Sequence, residues 1–211
     1  MGSVHHGNGS ASRLTKSEAL ARLKQEVRHG LPPGKSIVFG EGNPNATLVV
    51  VGEAPGREEE AAGRPFVGRA GQLLNEMLSG LSLKREELWI TNVVKWHPTE
   101  AKGNLQSTRS PNASEVRVSL GWLDKELRTI APRLILCLGN MAAGALIDSR
   151  FRMKVDHGRW REGRLGVETL ATFHPAYALR QGARTGEVLD LMRQDLQIVK
   201  ARYDEIRSRR C

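Results

Sequence analysis

The chain has 211 residues, of which 39% are hydrophobic and 26% charged, a balance typical of a soluble globular protein. Lysine and arginine number 32 against 23 acidic residues, which gives a net charge of +9 and favours an acidic polymer, nucleic acid first, as the partner. No apolar run approaches the roughly 20 residues that a membrane-spanning helix needs, so we expect no membrane association.

The length predicts one domain, over residues 13–207, between a tail at 1–12 and a short basic end at 208–211. The tail is rich in Gly, Ser and His and lacks an apolar segment, which predicts disorder and not a secretory signal. The two cysteines, Cys137 and Cys211, give no disulfide framework and suit a reducing cytoplasm.

Helical and strand-like segments alternate along the chain. In chain order we predict a helix at 14–28, a strand at 47–51, a helix at 70–78, a strand at 88–94, a helix at 114–130, a strand at 133–138, a helix at 141–147, a hairpin of 159–162 with 167–173, and a helix at 187–207. The apolar, β-branched strands are typical of a sheet that is covered on both faces. This order predicts an α/β fold with a mainly parallel sheet between two layers of helices.

One stretch, residues 96–111, shows neither helical nor strand character. It is polar and basic, and loops of this length are often functional. We therefore interpret it as a functional loop.

Chemically unusual residues follow the carboxyl ends of the predicted core strands. In chain order they are Gly52, Glu53 and Ala54, then Asn92 and Lys95, then Gly139 and Asn140, and finally His174. Ligands of open parallel sheets bind beyond these strand ends, so the sequence predicts a binding site there.

Three side chains suggest what that site holds. Phe66 offers a flat apolar face, Asn92 carries a donor and an acceptor that match an imide edge, and His174 can donate to a developing oxyanion. Each has an ordinary structural alternative, as a core ring, a turn former or a structural histidine. Together they fit a planar pyrimidine, and the basic surface supplies phosphate contacts to the polymer that carries it.

The segments GEGNPNATLVVVGEAPG, GRPFVGRAGQLLN, ITNVVK and FHPAYALR resemble the family 4 uracil-DNA glycosylases, and the related family X enzymes, of the uracil-DNA glycosylase superfamily. The resemblance runs from about Gly40 to the last helix. It implies a three-layer α/β/α sandwich around a four-stranded parallel sheet. It also implies a monomeric, monofunctional hydrolase that flips uracil out of DNA and releases free uracil, leaving an abasic site.

The resemblance also implies roles for single residues. Glu53 arranges the hydrolytic water or the sugar, Phe66 stacks on the flipped uracil, and Asn92 reads its N3 and O4 edge. His174 donates a hydrogen bond to O2 as negative charge develops there. Gly52 and Ala54 belong to the same substrate-binding motif as Glu53.

One segment and three further residues are expected to contact DNA. The resemblance implies that residues 176–180, with Ala176, Tyr177 and Arg180, form the loop that wedges into the duplex. Lys95 and the basic residues Lys102 and Arg109 are further candidates. The implied partner is uracil-containing DNA.

The chain departs from family 4 at the iron–sulfur cluster, which four cysteines usually bind. The corresponding positions fall in residues 28–35, near Trp96 and near Gly121, and none of them is a cysteine. A cluster needs about four thiolates, so we expect no cofactor and no metal. We expect Trp96 and Trp122 to fill the vacated volume.

Two further departures leave the chemistry open. The histidine with which family X forms a covalent adduct aligns with Thr108, and His97 is not at the matching position, so that route is not expected. Arg57 follows the Gly-Glu-Ala-Pro-Gly motif, and Glu58–Glu60 come next. These glutamates either begin a solvated helix or include the group that activates water.

Two alternative functions stay open at this stage. One is a uracil- or abasic-site DNA-binding protein with little turnover or tight product retention, which the departures from the family motifs suggest. The other is a free-nucleotide-binding enzyme, which the glycine-rich strand ends suggest.

Overall fold

The computed structural model describes residues 14–103, 105–181 and 185–209. The predicted disordered tail, residues 1–12, lies outside the described residues, as do Arg210 and Cys211 of the basic end. Within the described part, no helix has the length and apolar character needed to cross a membrane.

Each predicted helix and strand is present, and the structure adds shorter elements, among them a helix over residues 175–180 where the resemblance implies a loop. The helices are α1 Lys16–Gly30, α2 Arg57–Ala62, α3 Arg69–Gly80, α4 Ala113–Ile130, α5 Asn140–Leu146, α6 Met153–Asp156, α7 Pro175–Arg180 and α8 Thr185–Ser208. The strands are β1 Glu41–Gly42, β2 Leu48–Gly52, β3 Trp89–Asn92, β4 Thr99–Lys102, β5 Leu105–Thr108, β6 Leu134–Leu138, β7 Arg161–Glu162 and β8 Glu168–Thr172.

The main sheet has the strand order β1-β3-β2-β6-β8-β7. Its centre is the four-stranded parallel arrangement β3-β2-β6-β8, as predicted. The two-residue strands β1 and β7 add antiparallel edges, and β7 with β8 is the predicted hairpin. All four parallel strands therefore end at the same edge of the sheet, which confirms the α/β fold class.

Alternate residues of each strand pack into two separate cores. Val49 and Val51 face a layer that includes α1, α4 and α5, whereas Leu48 and Val50 face a layer that includes α3 and α8. The strands are buried on both faces because helices cover both, which explains their continuous apolar runs. The architecture is the expected three-layer sandwich.

The prediction that residues 96–111 lack strand character is wrong. Strands β4 and β5 pair there as an antiparallel hairpin whose turn includes Gly103, at φ 60°. Most residues of this hairpin are exposed, so no alternation of apolar and polar residues reveals it in the sequence. Lys35 anchors it by donating to Thr99 Oγ1 at 2.6 Å and to the carbonyl oxygen of His97 at 3.2 Å.

Candidate active site

A cavity of about 920 Å³ opens at the carboxyl ends of the parallel strands. Strand β2 has β3 on one side and β6 on the other, so the order of the strands changes direction at β2. Open α/β sheets form their ligand crevice at such a point. Of the residues predicted for the site, the cavity is lined by Glu53, Ala54, Phe66, Asn92, Arg109, His174, Ala176, Tyr177 and Arg180.

Gly52 brings two of these side chains together. It ends β2 opposite Asn92 in β3, and a Cβ atom at Gly52 would lie 2.4 Å from both Asn92 Oδ1 and Phe66 Cζ. Only glycine leaves room for that approach. Gly52 therefore supports the site by its lack of a side chain.

Phe66 is held in a conformation that a phenylalanine rarely adopts. Its φ is 53°, in the left-handed region, and such strain persists only where the surroundings impose it. Arg85 donates to the carbonyl oxygen of Pro65 at 2.6 Å, and Glu59 Oε1 accepts from the amides of Val67 and Gly68. The Phe66 ring is thus fixed 6.0 Å from the imidazole of His174, at an angle of 28° between the rings.

Asn92 is 2% exposed, and its Oδ1 has no hydrogen-bond partner among the described residues. A buried polar atom without a partner costs about 1–3 kcal/mol, so it is uncommon unless a ligand completes it. The atom lies beside Phe66 at the cavity. It can accept a hydrogen bond from an N–H group on a flat ring.

His174 is fixed as a neutral donor. Its Nδ1 accepts from the amide of Ala176 at 3.1 Å, so the neutral ring carries its proton on Nε2. Burial, assisted by the positive charge of Arg180, lowers the pKa of His174 to about 4. The ring is therefore uncharged at neutral pH and keeps an Nε2–H to donate.

Glu53 is the carboxylate of the motif that follows β2. It is half-buried, lines the cavity, and its side chain forms no hydrogen bond or ion pair with any residue that the structure describes. Its oxygens can therefore bind a water or a sugar hydroxyl.

The three glutamates after the motif form the first turn of α2, as one of the two interpretations predicts, but they are not merely solvated. Glu58 accepts from the amide of Arg69, and Glu59 accepts from the amides of Val67 and Gly68 in the Phe66 loop. Glu60 accepts from His97, 2.9 Å away. These contacts link residues far apart in the chain, and the only sequence signal was the acidic run itself.

Lys95 does not lie at the DNA surface, so its prediction as a DNA contact is wrong. It is fully buried and donates to Thr91 Oγ1 at 2.7 Å, to the carbonyl oxygen of Asn92 at 2.8 Å and to Glu126. Burial lowers the pKa of Lys95, and the Glu126 carboxylate opposes that shift. Trp89 Nε1 also donates to Glu126, so both oxygens of this carboxylate accept hydrogen bonds within the fold.

The other predicted DNA contacts lie at the surface. Lys102 and Arg180 are exposed, and Tyr177 stacks on Phe173 with ring centroids 6.0 Å apart. Arg109 forms two hydrogen bonds with Glu115, at 2.7 and 2.8 Å, which offset part of its charge. Whether these residues bind DNA stays a prediction.

A family model described as the uracil DNA glycosylase superfamily matches residues 39–197. The chain therefore belongs to the uracil DNA glycosylase superfamily.

Relatives at moderate identity carry a more specific name. A type-4 uracil-DNA glycosylase of Pyrobaculum aerophilum is 41% identical over 160 residues, covering 72% of this chain and 78% of the relative. The type-4 enzyme of Archaeoglobus fulgidus is 40% identical over 154 residues, covering 68% and 72%. That of Thermotoga maritima is 35% identical over 170 residues, covering 79% and 82%.

The residues at the expected cluster position do not fit an iron–sulfur cluster. Trp96 and Trp122 are buried there edge to face, with ring centroids 6.4 Å apart. A Cβ atom at Gly30 would lie 2.6 Å from Trp122 Cζ2, so the end of α1 packs directly on that ring. Cys137 lies in β6, where burial raises the pKa of its thiol and disfavours the thiolate that a cluster needs.

Proposed function

We propose that the protein is a monofunctional uracil-DNA glycosylase, which hydrolyses the N-glycosidic bond of uracil in DNA and leaves an abasic site. Membership of the superfamily and the type-4 names of its relatives support this activity. The single observation that carries the site assignment is the unpartnered, buried Oδ1 of Asn92 beside Phe66. A uracil ring in the cavity would supply the missing donor.

Binding begins with extrusion of the base, which costs a few kcal/mol. Stacking on Phe66 recovers part of that cost, since a base on an aromatic ring gains about 1–3 kcal/mol. Because the Phe66 backbone is already held in its strained conformation, the ring is ordered before the base arrives.

Asn92 selects the base. Uracil presents N3–H to Oδ1 and O4 to the Nδ2 amide group, so both halves of the side chain are satisfied. Cytosine presents an acceptor at N3 and a donor at its exocyclic amine, which reverses the pattern. The Asn92 oxygen would then face an acceptor, and its amide N–H group would face a donor.

His174 stabilises the leaving group. When the bond between C1′ and N1 breaks, its electron pair moves into the ring and negative charge collects at O2. The Nε2–H of the neutral imidazole donates to that oxygen, and such a donor contributes about 10²–10³-fold to the rate. Glu53, which lines the same cavity, orients the water that attacks C1′ or steadies the cationic sugar.

The surface supplies the polymer contacts. A net charge of +9 favours DNA, and we assign phosphate contacts to Lys102, Arg109 and Arg180. Ala176 and Tyr177, at the start of α7, would enter the space that the extruded base leaves. We propose that the protein acts as a monomer in the cytoplasm and without a metal cofactor, so iron analysis and visible absorption should reveal no cluster.

The function is tested by release of free uracil from duplexes that carry one uracil. We expect His174→Ala and Asn92→Ala each to slow release by about 10²–10³-fold and to leave DNA affinity unchanged. His29→Ala and Asn45→Ala are matched controls, because both residues are exposed and neither lines the cavity. Unchanged release by both site variants would contradict the site, and wild-type binding without turnover would favour the DNA-binding alternative.

A further inference from the structure

A second group of polar side chains reaches the cavity from outside the Phe66, Asn92 and His174 set. Glu60 Oε2 lies 2.9 Å from His97 Nδ1, and His97 Nε2 lies 2.9 Å from Thr108 Oγ1. The imidazole is 3% exposed, whereas Thr108 is exposed and lines the same cavity as Glu53 and His174. A carboxylate, an imidazole and a hydroxyl therefore form one chain that ends at the cavity.

The hydrogen bonds fix the direction in which a proton can move along these three side chains. A carboxylate only accepts, so Glu60 fixes the His97 proton on Nδ1 and leaves Nε2 as an acceptor. Thr108 must then donate its hydroxyl proton to Nε2, and the lone pairs of its oxygen can accept a hydrogen bond in turn. A hydroxyl held in this way can accept a proton from a bound water.

We propose that Thr108 is a catalytic residue, the terminal group of a Glu60–His97–Thr108 relay that deprotonates the attacking water. The water oxygen forms a bond to C1′ while the electron pair of the C1′–N1 bond leaves with uracil. The water proton passes to Thr108 Oγ1, and the Thr108 proton passes to His97 Nε2. The resulting imidazolium is stabilised by the Glu60 carboxylate until its proton returns to solvent or to the uracil anion.

This proposal rests on the proposed function and adds a second group to it. Glu53 orients the water or the sugar, and the relay removes the proton. The acid that acts in water activation is thus one of the three glutamates after the Gly-Glu-Ala-Pro-Gly motif, working through an imidazole. His97 and Glu60 act as positioning residues, because Thr108 is the one of these three residues that lines the cavity.

The test is single-turnover uracil release by variants of the exposed residue Thr108. Thr108→Val keeps the shape and removes the hydroxyl, and we expect the rate to fall about 10²-fold, the lower end of general-base effects. Thr108→Ser restores a hydroxyl and should stay within about threefold of wild type. Affinity for a duplex with a non-cleavable uracil nucleotide should be the same for all three proteins.

The variant Glu60→Gln tests the part of the relay that Glu60 and His97 form. Its carbonyl oxygen can still accept from Nδ1, but the negative charge is gone, so the imidazolium that the relay forms on His97 loses its stabilising carboxylate. We expect a loss similar to that of Thr108→Val, and a double variant no slower than either alone, because residues that act as one unit are not additive.

Lys35→Met is the matched control for a merely structural role. It removes the anchors of the β4–β5 hairpin at Thr99 and at the His97 carbonyl and leaves the relay side chains intact. We expect its rate to stay within about threefold of wild type.

Four results would overturn the relay. They are a normal rate for Thr108→Val, a loss in the Thr108→Val/Glu60→Gln variant equal to the product of the two single losses, a loss in Lys35→Met equal to that of Thr108→Val, and a Thr108–DNA adduct detected by mass spectrometry. If wild type and Thr108→Val both release uracil rapidly, the relay fails while the glycosylase function stands.

Discussion

Asn92 and Lys95 lie three residues apart, and their polar groups have opposite surroundings. Lys95 is fully buried with three acceptors around its ammonium group. Asn92 is almost as buried, yet its Oδ1 has no partner among the described residues. Asn92 ends β3 and Lys95 follows it, and the sequence predicts that both face a ligand.

The two residues therefore have different roles: Lys95 stabilises the fold, and Asn92 is available to a ligand. A buried polar group that is fully satisfied stabilises the fold, whereas one that is left unsatisfied in a residue lining a cavity can be completed by a ligand. The Lys95–Glu126 pair also ties down the carbonyl of Asn92, so the saturated group supports the backbone that presents the unsaturated one.

The largest expected effect comes from Asn92→Leu, which keeps the size of the side chain and removes its polar atoms. Uracil release should fall about 10³-fold, because the imide edge loses both contacts. The free energy of unfolding should rise by about 1–3 kcal/mol, since an unsatisfied buried acceptor is gone. Single-turnover rates and urea denaturation measure the two, and a loss of stability would contradict the comparison.

Glu126→Gln should have the opposite effect. It leaves the buried Lys95 charge without its counter-ion, which costs about 3–5 kcal/mol of folding free energy. The rate of uracil release per folded molecule should change far less than in Asn92→Leu. Denaturation with the double variant Lys95→Met/Glu126→Leu is the control, because removing both charges should recover most of the lost stability.

Gly52→Ala places a methyl group between the two parts of the site. The added Cβ lies 2.4 Å from Asn92 Oδ1 and from Phe66 Cζ, so both must move at a cost of about 1–3 kcal/mol, with a loss of uracil release. Gly121→Ala in α4 meets no atom within 4 Å and should stabilise the helix by about 1 kcal/mol. Equal effects at the two positions would argue against a crowded site at Gly52.

A further expected effect is a pH dependence of stability from His174. Its folded pKa of about 4 lies below its ordinary value of 6.5, so the unfolded chain takes up a proton first as the pH falls. The stability contribution of the neutral ring is therefore complete above pH 6.5 and is lost progressively towards pH 4. His174→Asn should flatten this slope in urea denaturation, and an unchanged slope would refute the low pKa.

Much of this site could be predicted from local sequence. Apolar, β-branched runs reveal the parallel strands, and a shared sheet edge brings Phe66, Asn92 and His174 together. Lys95 was misplaced because a short motif does not show whether the chain turns inward after β3. Burial of the lysine depends on Glu126, 31 residues further on.

The supporting contacts could not be predicted for a similar reason. Arg85 reaches the Phe66 loop from 19 residues away, and His97 joins Glu60 to Thr108 across two elements. None of these pairs has a spacing that indicates contact. The β4–β5 hairpin was missed because an exposed hairpin has no apolar face to pattern its sequence.

The most direct measurement compares release of uracil with release of 3-methyluracil from otherwise identical duplexes. The methyl group removes N3–H and also prevents base pairing, so 3-methyluracil is the easier base to extrude. If Asn92 Oδ1 receives N3–H, wild-type protein should release uracil with multiple turnover and leave 3-methyluracil almost untouched. Release of both bases at the same rate would show that the buried acceptor does not bind the imide edge.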